Sequence, residues 1–270
     1  MIYYKTQDEI ALIRKSSLLV SDTLALIAGI IRPGVTTQWL DQQAEAFIRD
    51  NGGKPSFKGY KGYKHTLCIS VNDQVVHGIP SEKEIRNGDV VSVDCGVFMN
   101  GFHGDSAFTF LIGEVSREAV NLAKVTRASV YKGIEMAVAG NRIGDVSYAI
   151  QHYAETIHGY GVVRELVGHG IGKQLHEEPE VPNFGSRGKG TKMQEGMTIA
   201  IEPMINLGTR HVVQEDDGWT IRTRDSKISC HFEHTVAVMK GKADVLSSFD
   251  PIDAAAAGNE HLYKETETVG

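Results

Sequence analysis

The chain has 270 residues, is 41% hydrophobic and 23% charged, and carries a formal net charge of −6. That is the make-up of an ordinary globular protein of one large domain or two small ones, with no basic footprint for nucleic acid. Three cysteines (Cys68, Cys95 and Cys230) without a CxxC pair argue against a disulfide framework and for a reducing compartment. No secretory signal opens the chain, and its longest apolar run, Leu24 to Ile31, is too short to cross a bilayer. A cytoplasmic protein that binds no membrane is expected.

Thr6 followed by Glu9 forms a capping box, and Ile10, Ile13, Leu18, Val20, Leu24 and Ile27 follow a helical period until Arg32-Pro33-Gly34 stops it. Thr37 is expected to cap a second helix to Arg49, which Asn51-Gly52-Gly53 ends. The glycine- and tyrosine-rich loop 54–63 reads either as a solvated connection or as a pocket wall. His65 to Val71 alternates as a strand, and Asn72-Asp73 turns the chain back.

Val90, Val91 and Val93 then read as a buried strand ending on Asp94. Asn100-Gly101 is a favoured two-residue hairpin turn, and Phe102 to Leu111 returns as the partner strand. Asp94 and Asp105 are thereby brought close among apolar neighbours, where they repel each other and lose solvation. A divalent cation between them is the economical answer.

Ser116 begins a long helix to about Ala139, and Gly144-Asp145 starts another ending near His158-Gly159. His152 and His158 do not share a face of it and read as packing or surface residues. The loop Gly185-Ser-Arg-Gly-Lys-Gly190-Thr191 resembles a phosphate loop superficially but lacks its lysine after the last glycine, and no strand feeds it. Asp217-Gly218 signals a hairpin, followed directly by Trp219. From about Ala254 the chain turns alanine-rich and then polar, and a peripheral tail over about 250–270 is expected.

The 87–94 segment has an echo. Asn87-Gly88 through Asp94 matches Glu195-Gly196 through Glu202, and His103-Gly104-Asp105 with its apolar continuation matches His231-Phe232-Glu233 with its own. Even the helical lead-ins, Asp8 to Gly34 and Arg117 to Gly144, correspond. Two pieces in one order, each placing an acid at the equivalent position, point to one catalytic domain over 1–270. It would be made of two related halves, about 5–113 and 114–245, with four carboxylates converging near a pseudo-twofold axis.

Taken singly, an acid or histidine is structural more often than catalytic. No HExxH is present, because position 180 is glutamate, and no GxSxG elbow or nucleophilic cysteine setting appears. What remains is oxygen-rich: Asp94, Asp105, Glu202 and Glu233, with one or two histidines from glycine-flanked turns. Such a set suits Mn, Fe(II), Co or Zn, and the residues do not choose among them.

The strings His77-Gly-Ile-Pro, Gly101-Phe-His-Gly-Asp105, Gly168-His169-Gly-Ile-Gly, His176-Glu-Glu-Pro, Glu202-Pro203 and Glu233-His234-Thr235, together with Asp94, resemble the type I methionine aminopeptidases of bacteria from about residue 5 to 245. That resemblance implies an α+β pita-bread fold, a curved antiparallel sheet backed by helices. It implies two divalent metal ions, bridged by Asp105 and Glu233, with Asp94 completing one ion and His169 with Glu202 the other. A hydroxide between the ions would attack the scissile carbonyl, Glu202 would pass a proton to the leaving amine, and His77 and His176 would stabilise the tetrahedral intermediate. Tyr60, Tyr63, Cys68 and Trp219 match the methionine pocket, and His103 and His231 would support the ions from behind. Asn72, Gln74 and Ser229 align with ligands of a monovalent cation. The implied activity is removal of N-terminal methionine from nascent chains whose second residue is small, by a cytoplasmic monomer in transient contact with the ribosome.

Two positions depart from the pattern. Leu175 stands where many such proteins carry an aromatic residue, and Gly96 where some carry threonine; both are expected to alter either pocket shape or the hydrogen bonding behind the metal ligands, and neither touches a ligand. The rival readings are a proline-specific peptidase of the same fold, which usually adds an N-terminal domain, and a metal-free binding module of that fold, which would have lost ligands.

Overall fold

The computed structural model describes residues 1–264. Helix α1 (Gln7–Ile30) starts on the expected capping box: the Glu9 N–H donates to Thr6 Oγ1 at 3.2 Å, and the Thr6 N–H to Glu9 Oε2 at 3.0 Å. Helix α2 (Thr37–Asp50) is capped by Thr36 rather than Thr37. Thr36 is extended and accepts from the Trp39 N–H, whereas the Thr37 hydroxyl donates to the Ser81 carbonyl. The loop that follows contains a two-residue strand, β1 (Lys54–Pro55), and a 3-10 turn over Tyr60–Gly62. Strand β2 (Leu67–Val71) begins two residues later than the alternation suggests, because the amides of Thr66 and Leu67 donate to buried Asp41 Oδ1.

After β3 (Gln74–Val76), β4 (Val90–Met99) and β5 (Phe102–Leu111) form a hairpin of ten unbroken pairs. Asn100 and Gly101 both take positive φ, 55° and 85°, the requirement of the two-residue turn read from the sequence. Because side chains alternate across a strand, the register places Asp94, Gly96, His103, Asp105 and Ala107 on one face. Val93, Cys95 and Val97 lie on the other, fully buried, toward α1. Helix and hairpin approach so closely there that a Cβ on Gly104 would collide with the Ser17 backbone. Gly104→Ala should therefore cost about 1–3 kcal/mol, read as a lower denaturation midpoint at unchanged m-value; a change below about 0.5 kcal/mol would contradict this close packing.

The second half runs through α3 (Arg117–Met136, capped by Ser116) and α4 (Ile143–Gln151), which continues as one π turn, His152–Ile157. It then has β6 (Gly161–Val162), β7 (Gly168–Gly170), β8 (Glu177–Val181), β9 (Thr198–Ile201), β10 (Met204–Asn206), β11 (Val212–Gln214), β12 (Ile221–Thr223), β13 (Ser229–His231), β14 (His234–Ala237) and β15 (Asp244–Val245). All pairings between named strands are antiparallel and fall into four sheets of three to five strands. The pairing breaks between Ile201↔His234 and Met204↔His231. Pro203 has no N–H to donate to a ladder, so Glu202 and Glu233 sit opposite each other in the gap.

Beside the carboxylates β5 meets β13 and β14 through hydroxyls, whereas elsewhere the two halves share the antiparallel pairing of β3 with β12. The Ser106 hydroxyl donates to the Glu233 carbonyl at 2.6 Å, and the Thr109 hydroxyl to that of His231 at 2.7 Å. The Thr235 hydroxyl accepts from the Asp105 N–H at 3.1 Å and donates to the Asp105 carbonyl at 2.7 Å. A direct backbone bond runs alongside them, Glu233 N–H to the Ala107 carbonyl at 3.0 Å, and farther along the Ser229 and Thr223 amides donate to the Asn72 and Asp73 carbonyls.

The segment after 250, expected to be peripheral, packs on the body. Its first part is α5 (Asp250–Gly258), which lies against α1 with Ile252 fully buried. The Asn259 side chain donates to the Ala28 and Ile31 carbonyls, and Leu262 bridges to Ile112; residues 265–270 of that expected tail lie outside the described residues. The glycine loop 185–191 also finds a role. Carbonyls of Lys189 and Thr191 accept from the Gly144 and Ile143 amides, and Asp145 Oδ1 accepts from the Gly188 amide. The N-terminal amides of α4 are thus already satisfied by backbone, which leaves them nothing to offer a phosphate. No described helix is long and apolar enough to cross a membrane.

Candidate metal centre

Strands β4 and β5 carry Asp94 and Asp105, β7 carries His169, and the break at Pro203 releases Glu202 and Glu233 toward them. One cavity of about 160 Å³ is lined by all five. Asp105, His169 and Glu233 offer ligand atoms within 4.8 Å of one another. His169 Nε2 is 3.6 Å from Glu202 Oε1 and 4.0 Å from Asp105 Oδ2. His169 Nδ1 lies 2.9 Å from the Gly170 carbonyl. A carbonyl only accepts, so Nδ1 carries the proton and Nε2 presents its lone pair to the cluster.

Among the described residues no lysine or arginine forms an ion pair with this group. Asp94 Oδ1, Asp105 Oδ1 and Glu233 Oε1 are buried without a hydrogen-bond partner, as is His231 Nε2. Burial pushes Asp94 up to about 7. Asp105 is driven well above the usual carboxylate range by burial and then by the charges of Glu233 and Asp94. Glu202 and Glu233 rise for the same two reasons, while burial drops His169 to about 4. Four carboxyls crowded this way, with orphaned oxygens aimed inward, are what divalent cations with oxygen and nitrogen preference require. The donor set fits such ions.

The same cavity is lined by Tyr60, Tyr63, Cys68, His77, His176 and Trp219, and also by Phe57, Lys61 and Leu175. Cys68 faces it because it pairs directly with Asp94. The Tyr63 hydroxyl donates to the Leu67 carbonyl at 2.9 Å, and its ring meets Trp219 edge-on at 5.0 Å. Arg222 holds the Trp219 hairpin in place by bonding both Asp73 and Glu215. His77 adopts φ +58°, a left-handed conformation uncommon outside glycine and tolerated where surroundings enforce it. Gly78 enforces it: its carbonyl accepts from the Ile69 amide, its amide donates to Ser70 Oγ, and a Cβ would strike the Ile69 carbonyl. His176 stacks on Tyr60 at 5.1 Å and sits 4.2 Å from the His169 ring. Burial, with His169 beside it, lowers His176 to about 3, and burial lowers His77. Both are neutral near pH 7.

Among the remaining expectations, His231 Nε2 reaches within 3.9 Å of Glu202 Oε2. His103 engages Ser56 Oγ through Nδ1 at 2.8 Å. Buried His234 stacks on Phe249 and bonds Ser247. The carbonyl of Asn72 accepts from the Ser229 amide at 2.9 Å, and Gln74 Oε1 accepts from the Val71 amide at 3.0 Å. The sequence reading missed Phe57 and Lys61 as lining residues. Positive φ at Lys61, between Gly59 and Gly62, had no sequence signal beyond those glycines. It also missed the buried Lys5–Glu177 ion pair, 2.5 Å, behind His176.

A curved antiparallel framework whose central cavity holds an uncompensated carboxylate cluster beside neutral imidazoles defines a metallohydrolase. Residues 11–240 match the model of metallopeptidase family M24. A methionine aminopeptidase of Clostridium perfringens is 50% identical over 247 residues, covering 92% of this chain and 99% of that protein. The crystal structure of methionine aminopeptidase from Rickettsia prowazekii superposes with TM-score 0.90 at 38% identity, covering 92% of this chain and 100% of that one. The prolidase of Pyrococcus horikoshii superposes with TM-score 0.73 at 22% identity, covering 92% of this chain and 64% of that one, which is a likeness of fold alone. The chain belongs to metallopeptidase family M24, in its branch of bacterial-type methionine aminopeptidases, and has the pita-bread fold.

Proposed function

We propose that the protein removes the N-terminal methionine from newly made polypeptides whose second residue is small, acting in the cytoplasm as a monomer in passing contact with the ribosome. The observation that carries this reading is the convergence of Asp94, Asp105, His169, Glu202 and Glu233 in a cavity walled by Tyr60, Tyr63, Cys68 and Trp219. Asp105 and Glu233 would bridge two divalent ions (Mn, Fe(II), Co or Zn), with Asp94 on one and His169 and Glu202 on the other. When bound, such ions polarise a carbonyl and acidify water.

The chain's own groups do the rest. The aromatic wall holds the thioether of the first residue, where sulfur against ring edges is favourable. Glu202, with His231 Nε2 3.9 Å from its Oε2, is the group to carry a proton to the departing amine. Neutral His77 and His176 each offer one N–H to the oxygen that gains charge. The halves 5–113 and 114–245 are proposed to be copies, with the site at their seam. A monovalent cation beside Asn72, Gln74 and Ser229 would brace the turn behind β2.

Protein supplied with Mn(II) or Co(II) should release methionine from Met-Ala-Ser, leave Met-Lys-Ser nearly intact, and lose turnover on chelation and in Glu202→Gln. Cleavage confined to bonds before proline would replace this reading with a proline-specific one, and metal binding without turnover would leave only a binding module.

A further inference from the structure

Gly96 stands opposite Asp105 in the β4–β5 ladder, on the face that carries the carboxylates. A Cβ there would lie 2.7 Å from the Phe57 ring and 2.9 Å from Ser56 Cβ, well inside the separation of about 3.5–4 Å at which carbons attract. The phenylalanine ring therefore occupies the space that a side chain at 96 would claim. Phe57 is buried in one apolar cluster with Tyr63, Cys68, Ile171 and Leu175, against which Tyr60 and Trp219 pack, and it also lines the cavity. Gly96 and Leu175 thus both belong to the surroundings of this ring.

We infer that Phe57, admitted by the bare backbone of Gly96, is a specificity-determining residue that sets how large a side chain the first residue of the substrate can bring into the pocket. The inference rests on the peptidase reading above. A phenylalanine has two side-chain torsions and keeps its shape when packed, so the wall it makes is fixed rather than adaptable. It borders the carboxylate cluster through Gly96, which ties pocket depth to the position of the scissile bond.

Three variants test this: Phe57→Ala, Gly96→Thr and the double variant. Each is assayed with Mn(II) on Met-Ala-Ser and Phe-Ala-Ser, and melted in chelator and in Mn(II). Phe57→Ala should raise the Phe-to-Met ratio of kcat/KM about tenfold or more, the range that hydrophobic pocket size controls. Gly96→Thr alone should lower Tm and Met-Ala-Ser turnover. The double variant should regain both, with a ratio near that of the parent, because threonine refills the space. An unchanged ratio in Phe57→Ala, or additive effects on Tm in the double variant, overturns the inference. A parent protein that hydrolyses no peptide would sink the peptidase reading and the specificity claim with it, whereas the melting cycle would still report the steric pairing separately.

Discussion

Asp105→Asn is expected to abolish turnover, by more than about 10²-fold, and to move stability in opposite directions with and without metal. In chelator the substitution spares the folded chain the cost of keeping a carboxyl protonated that the unfolded chain would ionise: Asp105 has an orphaned oxygen and is pushed up by burial, Glu233 and Asp94. Its neutral isostere should raise stability by about 1–3 kcal/mol. In saturating Mn(II) the parent should be the more stable protein, because a ligand at about 100 times its Kd adds about 2.7 kcal/mol and the variant forfeits that gain. The pH dependence has a definite sign. Below about pH 4 the carboxyls are protonated in both folded and unfolded chains and contribute nothing. As pH rises the unfolded chain ionises first, while the folded carboxyls hold their protons, to about 7 at Asp94. The cluster therefore destabilises the metal-free protein progressively between about pH 4 and pH 7. Thermal melts in chelator should fall across that window relative to melts in Mn(II). A parallel pair of profiles, or a lower Tm for Asp105→Asn in chelator, would refute the idea that the carboxylates are held together against their own repulsion.

His176→Ala should lower kcat by about 10²–10³-fold with KM changed only a few-fold, the signature of a donor that acts on the transition state. The ring is placed for it, stacked on Tyr60 and 4.2 Å from His169. It is neutral at working pH because its pKa lies at about 3, so it enters the reaction as an N–H donor and not as an acid. The pH–rate profile should accordingly keep its shape in His176→Asn, which keeps a donor and part of the rate. A purely KM-based loss would instead make the residue a binding contact.

Much of this arrangement was legible in the sequence where local chemistry leaves one solution. Asn100-Gly101 dictates a two-residue turn, the turn dictates the register, and the register puts Asp94 and Asp105 on one face. The echo of that pattern located Glu202 and Glu233. What it did not reveal was that the second hairpin is broken, although Pro203 was there to say so. Phe57 stayed hidden because its significance lies in a residue 39 positions away having no side chain, and no periodicity reports such a contact. Thr36 and Thr37 are equivalent caps by composition, and only the Ser81 carbonyl distinguishes them. The alanine-rich end looked peripheral because alanines pack without advertising a stripe.

The hydroxyl seam between the halves sets a gauge. Ser106, Thr109 and Thr235 bridge β5 to β13–β14 through their side-chain oxygens, alongside the Glu233-to-Ala107 backbone bond. The width of the gap that the carboxylates share is thus written into three small alcohols rather than into the acids themselves. Thr235→Val keeps the shape but deletes the bonds to both the amide and the carbonyl of Asp105, so deuterium uptake at Asp105 should quicken while distant strands stay silent. Inter-half breathing, and with it the fit between one cation size and another, becomes adjustable without touching a single ligand.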